Sequence, residues 1–202
     1  PCPLPRRRSG SDSEGEASPM DPRPPSDPPP RDAGGPQRDL AALLQELARI
    51  RSIPGELLST PGGPTADHWT VGQHLEHLLR AAELNLRAIE RIRGGRDDGP
   101  TSPLLAEGRE ILERGRIPRG ASTSPRAVEP SATVDRARIE ALLDGQLDRW
   151  GSLAGVLHEL EAAEGRIPHP ILGAFRAVDW LRFARIHTTH HREIVDELLG
   201  RA

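Results

Sequence analysis

Three of the chain's eight histidines fall within five residues, His187-Thr188-Thr189-His190-His191. On an α-helix, positions i and i+4 project from one face about a turn apart, so His187 and His191 can each offer a ring nitrogen to one shared point. Neutral imidazoles paired that way ligate zinc, nickel and related divalent ions. A second pair, His74 and His77, stands far upstream in another helical stretch. Three imidazoles from two helices would leave one coordination position open for water or substrate, as catalytic metal sites do. His77 is the favoured third ligand and His74 its rival, because the two lean to slightly different faces. His190 points off the His187/His191 row and is expected at a helix interface or in a hydrogen bond to a ligand. Thr188 follows His187, so the pattern is not His-Glu-x-x-His, and the general base of a zinc peptidase is missing.

Helices must position these side chains. Leu40, Leu43, Leu44, Leu47 and Ile50 recur at helical spacing and predict a first helix that stops before Pro54. Residues 59–66 are turn formers. A second helix is predicted from about Thr70 to Arg93, with an apolar row through Val71, Leu75, Leu78, Leu79, Ala82, Leu86 and Ile89; Gly94 and Gly95 stop it. His74 and His77 lie near its start. Residues 94–132 read as a long connection with a short helix around Leu104–Arg114 and prolines at 118, 125 and 130. Connections of that length usually cross a bundle or cover a site. A third helix is predicted over Thr133–Ala163 with Trp150 inward, and a last one over Ala174–Leu199 after the linker Arg166–Gly173. No segment alternates as a strand should. The expected fold is all-α, a four-helix bundle with a long helix 2–helix 3 crossover connection.

The 202 residues suffice for one core. Residues 1–36 carry 11 of the 21 prolines and few aliphatic side chains, which predicts a disordered tail before a folded domain at 37–202. Met20, the sole methionine, is expected as the translation start with residues 1–19 upstream; a native tail is the alternative. Cys2 is the only cysteine, so the folded part supplies neither a thiolate ligand nor a thiol nucleophile. The net charge of −3 is spread over interleaved Arg and Glu with no basic stripe, which argues against nucleic acid as a partner. With no apolar run of about 18 residues and no apolar leader in 1–36, a reducing cytoplasm is the expected location.

Other residues weigh less. His169, between Pro168 and Pro170, is expected either at a pocket mouth or in an exposed loop. Trp69 and Trp180 read as core or helix-entry anchors. Glu76 diverges from His77 by about 100° around the helix and is expected on the solvent face or at the favourable end of the helix dipole. Asp179 stands two turns before His187, about 12 Å by helical rise, so it can cap or orient a group but not share an ion. No residue is assigned a catalytic role beyond the ligands.

The stretch Trp69-Thr-Val-Gly-Gln73-His-Leu-Glu-His77-Leu78 resembles the second-helix signature of the DinB-like superfamily. His169-Pro170-Ile-Leu172-Gly173, Asp179-Trp180-Leu-Arg-Phe183 and His187-x-x-His190-His191 look like that family's C-terminal signature. With the helix order and the long crossover, the resemblance spans about residues 37–200. It implies that His77, His187 and His191 form a metal triad holding a divalent ion, commonly zinc or nickel. It also implies thiol-dependent chemistry, since such relatives are mostly S-transferases or isomerases that use a low-molecular-weight thiol such as bacillithiol or mycothiol. Relatives often carry Gln three residues after the last liganding His; Ile194 stands there, so that polar contact is expected to be missing. The expected activity is metal-dependent thiol transfer to an electrophilic small molecule, with neither nucleic acid nor membrane as partner. The alternatives are a metal-dependent hydrolase, for which the sequence identifies no carboxylate base, and a non-catalytic bundle stapled by the metal, with His74 or His190 as fourth ligand. A homodimer is compatible with all three.

Overall fold

The apolar rows of the sequence become helices because each can turn one stripe inward. The computed structural model describes residues 35–62, 69–98, 103–120 and 124–201. Its order is α1 (Pro36–Ile50), α2 (Val71–Arg93), α3 (Ala106–Arg114), α4 (Arg136–Ser152), α5 (Leu157–Ala162), β1 (Arg166–His169), β2 (Gly173–Arg176) and α6 (Ala177–Leu198), with short 3-10 turns at Gly55–Ser59, Arg126–Val128 and Leu153–Val156. The chain is mostly helical. The expected tail, Cys2 and Met20 included, lies outside the described residues except for Gly35 and Pro36, and Pro36 already opens α1. Residues 63–66 of the expected turn segment lie outside them too.

α2 packs most extensively against α6 and also against α4, while α1 packs against both α6 and α4. Leu75, Leu78, Leu79, Leu86 and Ile89 of α2 are all at most 2% exposed, and Leu43, Leu47, Ile139, Leu143, Trp150, Leu181 and Ala184 complete the shared interior. Burial of each such side chain contributes about 1.5–3 kcal/mol, so packing rather than helix propensity sets the height of α2 against α6. A capping box starts α2: Gln73 N–H donates to Thr70 Oγ1 at 3.3 Å, and Thr70 N–H donates to Gln73 Oε1 at 2.9 Å. Such a cap is worth about 1 kcal/mol and places the first turn of the helix. An ion pair, Arg185 Nε to Asp39 Oδ1 at 2.6 Å, ties α6 to α1. Burial pushes the Asp39 carboxyl up in spite of that arginine.

Two expectations change here. The predicted third helix, Thr133–Ala163, breaks at Leu153–Val156 into a 3-10 turn before α5. Gly151 and Gly155 weaken the helix at that point, and the apolar spacing continues across the break, so periodicity alone does not reveal it. The predicted linker before the last helix is an antiparallel hairpin, with Ile167 opposite Phe175 and His169 opposite Gly173. Strand β1 alternates exposed Arg166, buried Ile167, exposed Pro168 and half-buried His169, a period too short to stand out among flanking prolines. Gly173 is required at the turn. Its φ is +86°, and a Cβ there would lie 2.2 Å from the Pro103 carbonyl oxygen. The hairpin therefore seats directly on the α2–α4 connection.

Candidate metal centre

His77 projects from the second turn of α2, and His187 and His191 from the middle of α6. The two helices run antiparallel, since His74 meets His191 and His77 meets His187. One ring nitrogen each of His77, His187 and His191 lies within 4.8 Å of the others. The His77 Nε2 and His187 Nε2 atoms are 3.2 Å apart. Zinc–nitrogen bonds of about 2.0–2.1 Å in a tetrahedral site need an N–N edge of about 3.3 Å, so the pair has the separation of two ligands of one ion. The three ring centroids are 4.5, 4.6 and 5.0 Å apart. His77 and His191 are buried and His187 is half-buried.

The surroundings favour the neutral form of His187 and His191. Burial foremost, and then the repulsion that a protonated His77, His190 or His169 would exert, holds His187 well below the usual imidazole range. Burial, followed by His187, His77, His190 and His74, does the same for His191. His77 directs Nδ1 at the Val128 carbonyl oxygen, 2.9 Å away, with Ser124 Oγ at 3.2 Å. A carbonyl only accepts, so Nδ1 carries the proton and the Nε2 lone pair faces His187. Two rings held neutral by burial and a third anchored through its outer nitrogen could together hold a metal ion.

Val128 belongs to the long α2–α4 connection, and one face of α2 holds that segment in place. Glu76 is fully buried and accepts from Ser131 N–H at 2.7 Å, Ser131 Oγ at 3.1 Å and Arg138 Nε at 2.9 Å. Burial alone would raise its carboxyl, but these donors outweigh it and hold the group below the usual carboxylate range. Arg80 donates to the Glu129 and Ala127 carbonyls at 2.6 and 3.2 Å, and Gln73 Nε2 donates to those of Ser131 and Ala132 at 3.1 and 3.3 Å. Of the two places expected for Glu76, the solvent face is thus corrected, while it does lie towards the N-terminal end of α2. The polar row Gln73, Glu76, His77, Arg80 at helical spacing was the available signal, although only the folded connection supplies its partners.

A model of the DinB superfamily matches residues 37–195. The chain belongs to the DinB superfamily. No curated protein and no solved structure matches it. In this DinB-superfamily chain, His74 is buried outside the triad, with its Nδ1 3.2 Å from His191 Nδ1. His190 is half-buried, edge-on to His191 at 5.1 Å between ring centroids. Trp69 sits at the entry to α2, and its ring is 4.9 Å from that of His77 and 5.4 Å from that of His74. It walls the histidines, a position the anchor reading did not include. Trp180 is buried beside Phe175 and Phe183. His169 joins that aromatic group, 4.9 Å from Phe183, whose own ring is 5.7 Å from His187. Asp179 caps α6 by accepting from Arg176 N–H at 3.0 Å, and Ile194 is half-buried. Among the described residues, no helix is long and apolar enough to cross a membrane.

Burial drops His169 from 6.5 to about 4, and His187 and His191 shift in the same direction. Unfolding returns all three rings to ordinary behaviour, so below about pH 6.5 the unfolded chain binds more protons and stability falls with pH; for His169 the loss continues to about pH 4. From His169 the metal-free protein should therefore lose about 1–2 kcal/mol between pH 7 and pH 5, after allowance for solvent screening, and His187 and His191 add loss in the same direction. Denaturant midpoints at the two pH values measure this. Equal midpoints would mean that the rings protonate without cost in the folded chain.

Proposed function

We propose that α1, α2, α4 and α6 form the four-helix bundle of a metal-dependent enzyme whose ligands are His77, His187 and His191. The observation that carries this is the convergence of one nitrogen from each ring within 4.8 Å. A divalent ion bound there supplies positive charge that lowers the pKa of a thiol or water held beside it. The chain's own residues do the rest. Val128 and Ser124 fix the His77 ring, the depressed proton affinity of His187 and His191 keeps their lone pairs available, and Trp69 and Phe183 shield two sides from water.

Thiol transfer to an electrophilic small molecule is the reaction we favour. No carboxylate joins the histidine cluster among the described residues, and Glu76 is committed to Ser131 and Arg138, so hydrolysis lacks a base to activate water. Thiol chemistry needs none, because a thiol that meets a cation ionises near neutral pH. The chain's only cysteine, Cys2, lies far along the sequence from the triad, so the thiol is expected as a cosubstrate. The first test is elemental analysis of the purified, untagged protein, expected to show about one zinc or nickel per chain. A screen of low-molecular-weight thiols against model electrophiles then follows thiol consumption. Water-dependent turnover of an ester or amide without thiol consumption would replace this reading with hydrolysis.

A further inference from the structure

The contact between His74 and His191 is not needed to make a three-ligand site, yet it is buried and specific. His74 is 3% exposed, its Nδ1 lies 3.2 Å from His191 Nδ1, and Trp69 stacks edge-on against it at 5.4 Å. His74 lies outside the set of nitrogens that converge within 4.8 Å. Outside that set no ion lies between the rings, and two ring nitrogens at hydrogen-bond distance then share one proton, since two N–H groups would repel and two lone pairs would leave both unsatisfied. His77 shows the same construction, with its outer Nδ1 engaged by the Val128 carbonyl.

We propose that His74 is a positioning residue that accepts the Nδ1–H of His191 and thereby turns His191 Nε2 towards His77 and His187. This rests on the three-histidine metal reading above. A ligating imidazole keeps the proton on its other nitrogen, and the group that accepts this proton sets both tautomer and ring orientation. A carbonyl does this for His77. His191 sits on α6 opposite the first turns of α2, where the helix's own carbonyls are engaged along its axis, so a side chain must serve. An imidazole accepts in that buried place without adding charge, whereas a carboxylate would add a negative charge to the centre. His74 then carries its own proton on Nε2. The sequence pair His74/His77 thus divides into one orienting residue and one ligand.

The experiment measures zinc affinity by chelator competition on the full chain, for the wild type, His74→Leu and His74→Asn. Leucine removes the acceptor; the asparagine amide oxygen can take nearly the place of Nδ1. Removing the outer partner of a ligating histidine costs about 10–100-fold in affinity. The expected result is a loss of that size in His74→Leu, largely restored in His74→Asn. A merely packed histidine predicts no difference in affinity between these variants, and a fourth ligand predicts that asparagine fails as badly as leucine; either outcome overturns the proposal. Long-range proton–nitrogen spectra of zinc-loaded wild type give a second readout, expected to show His191 protonated at Nδ1 and metal-bound at Nε2. The reverse assignment also overturns it. A wild type that binds no zinc removes the metal reading itself, and that failure is visible before any variant is compared.

Discussion

His187→Ala should reduce metal content from about one ion per chain to about none, and with it the stabilisation that metal gives the fold. A site filled at about a thousand times its dissociation constant adds about 4 kcal/mol to stability. For a domain of this size that is about 8–16 °C in Tm. Wild-type protein should therefore melt about that much higher with excess zinc than with chelator, and the variant should melt at one temperature in both. His187 is half-buried beside Phe183 and His77, so truncating it removes few core contacts and the metal-free variant should remain folded. That separates ligand loss from unfolding. An equal zinc-induced rise in the variant would show that His187 holds no ion.

Glu76→Ala should cost about 3 kcal/mol, because three hydrogen bonds to a buried carboxylate vanish and Ser131 N–H loses its acceptor. Arg138 is half-exposed and can turn to water, which limits the loss. The effect should reach the metal centre. Glu76 anchors Ser131, and the same stretch of chain carries the Val128 carbonyl that receives His77 Nδ1–H. The variant should therefore combine a lower denaturant midpoint with weaker zinc binding, and Glu76→Gln, which keeps the shape and one acceptor, should lie between it and wild type. Loss of stability with unchanged zinc affinity would separate the anchor from the centre.

The candidate site and the helices differed in how much of each could be read beforehand. α2 matched its prediction closely because three local signals coincide there: Thr70 and Gln73 make a capping box, the leucines keep helical spacing, and Gly94 and Gly95 end it. The β1–β2 hairpin is not legible in the sequence because β1 itself contains Pro168, its four-residue strands hold too few alternations to register, and it depends on Gly173 fitting against Pro103. The burial of Glu76 is hidden from the sequence for a related reason. A lone acidic residue on a helix reads as solvent-facing until a distant segment, here Ser131 and Arg138, folds over it.

That imidazoles one turn apart on one helix, His187 and His191, could join imidazoles from another follows from the amino-acid order alone, because helical periodicity is a property of neighbouring residues. That order also shows that no cysteine lies between residues 3 and 202, where every histidine stands. The packing of the helices brings His77 into the cluster with His187 and His191 and leaves His74 against its outer edge. That choice follows from the antiparallel packing of α2 on α6 and from the Val128 carbonyl meeting His77. Both are contacts between residues far apart in the chain, set by how buried surfaces fit together, and local spacing carries no record of them.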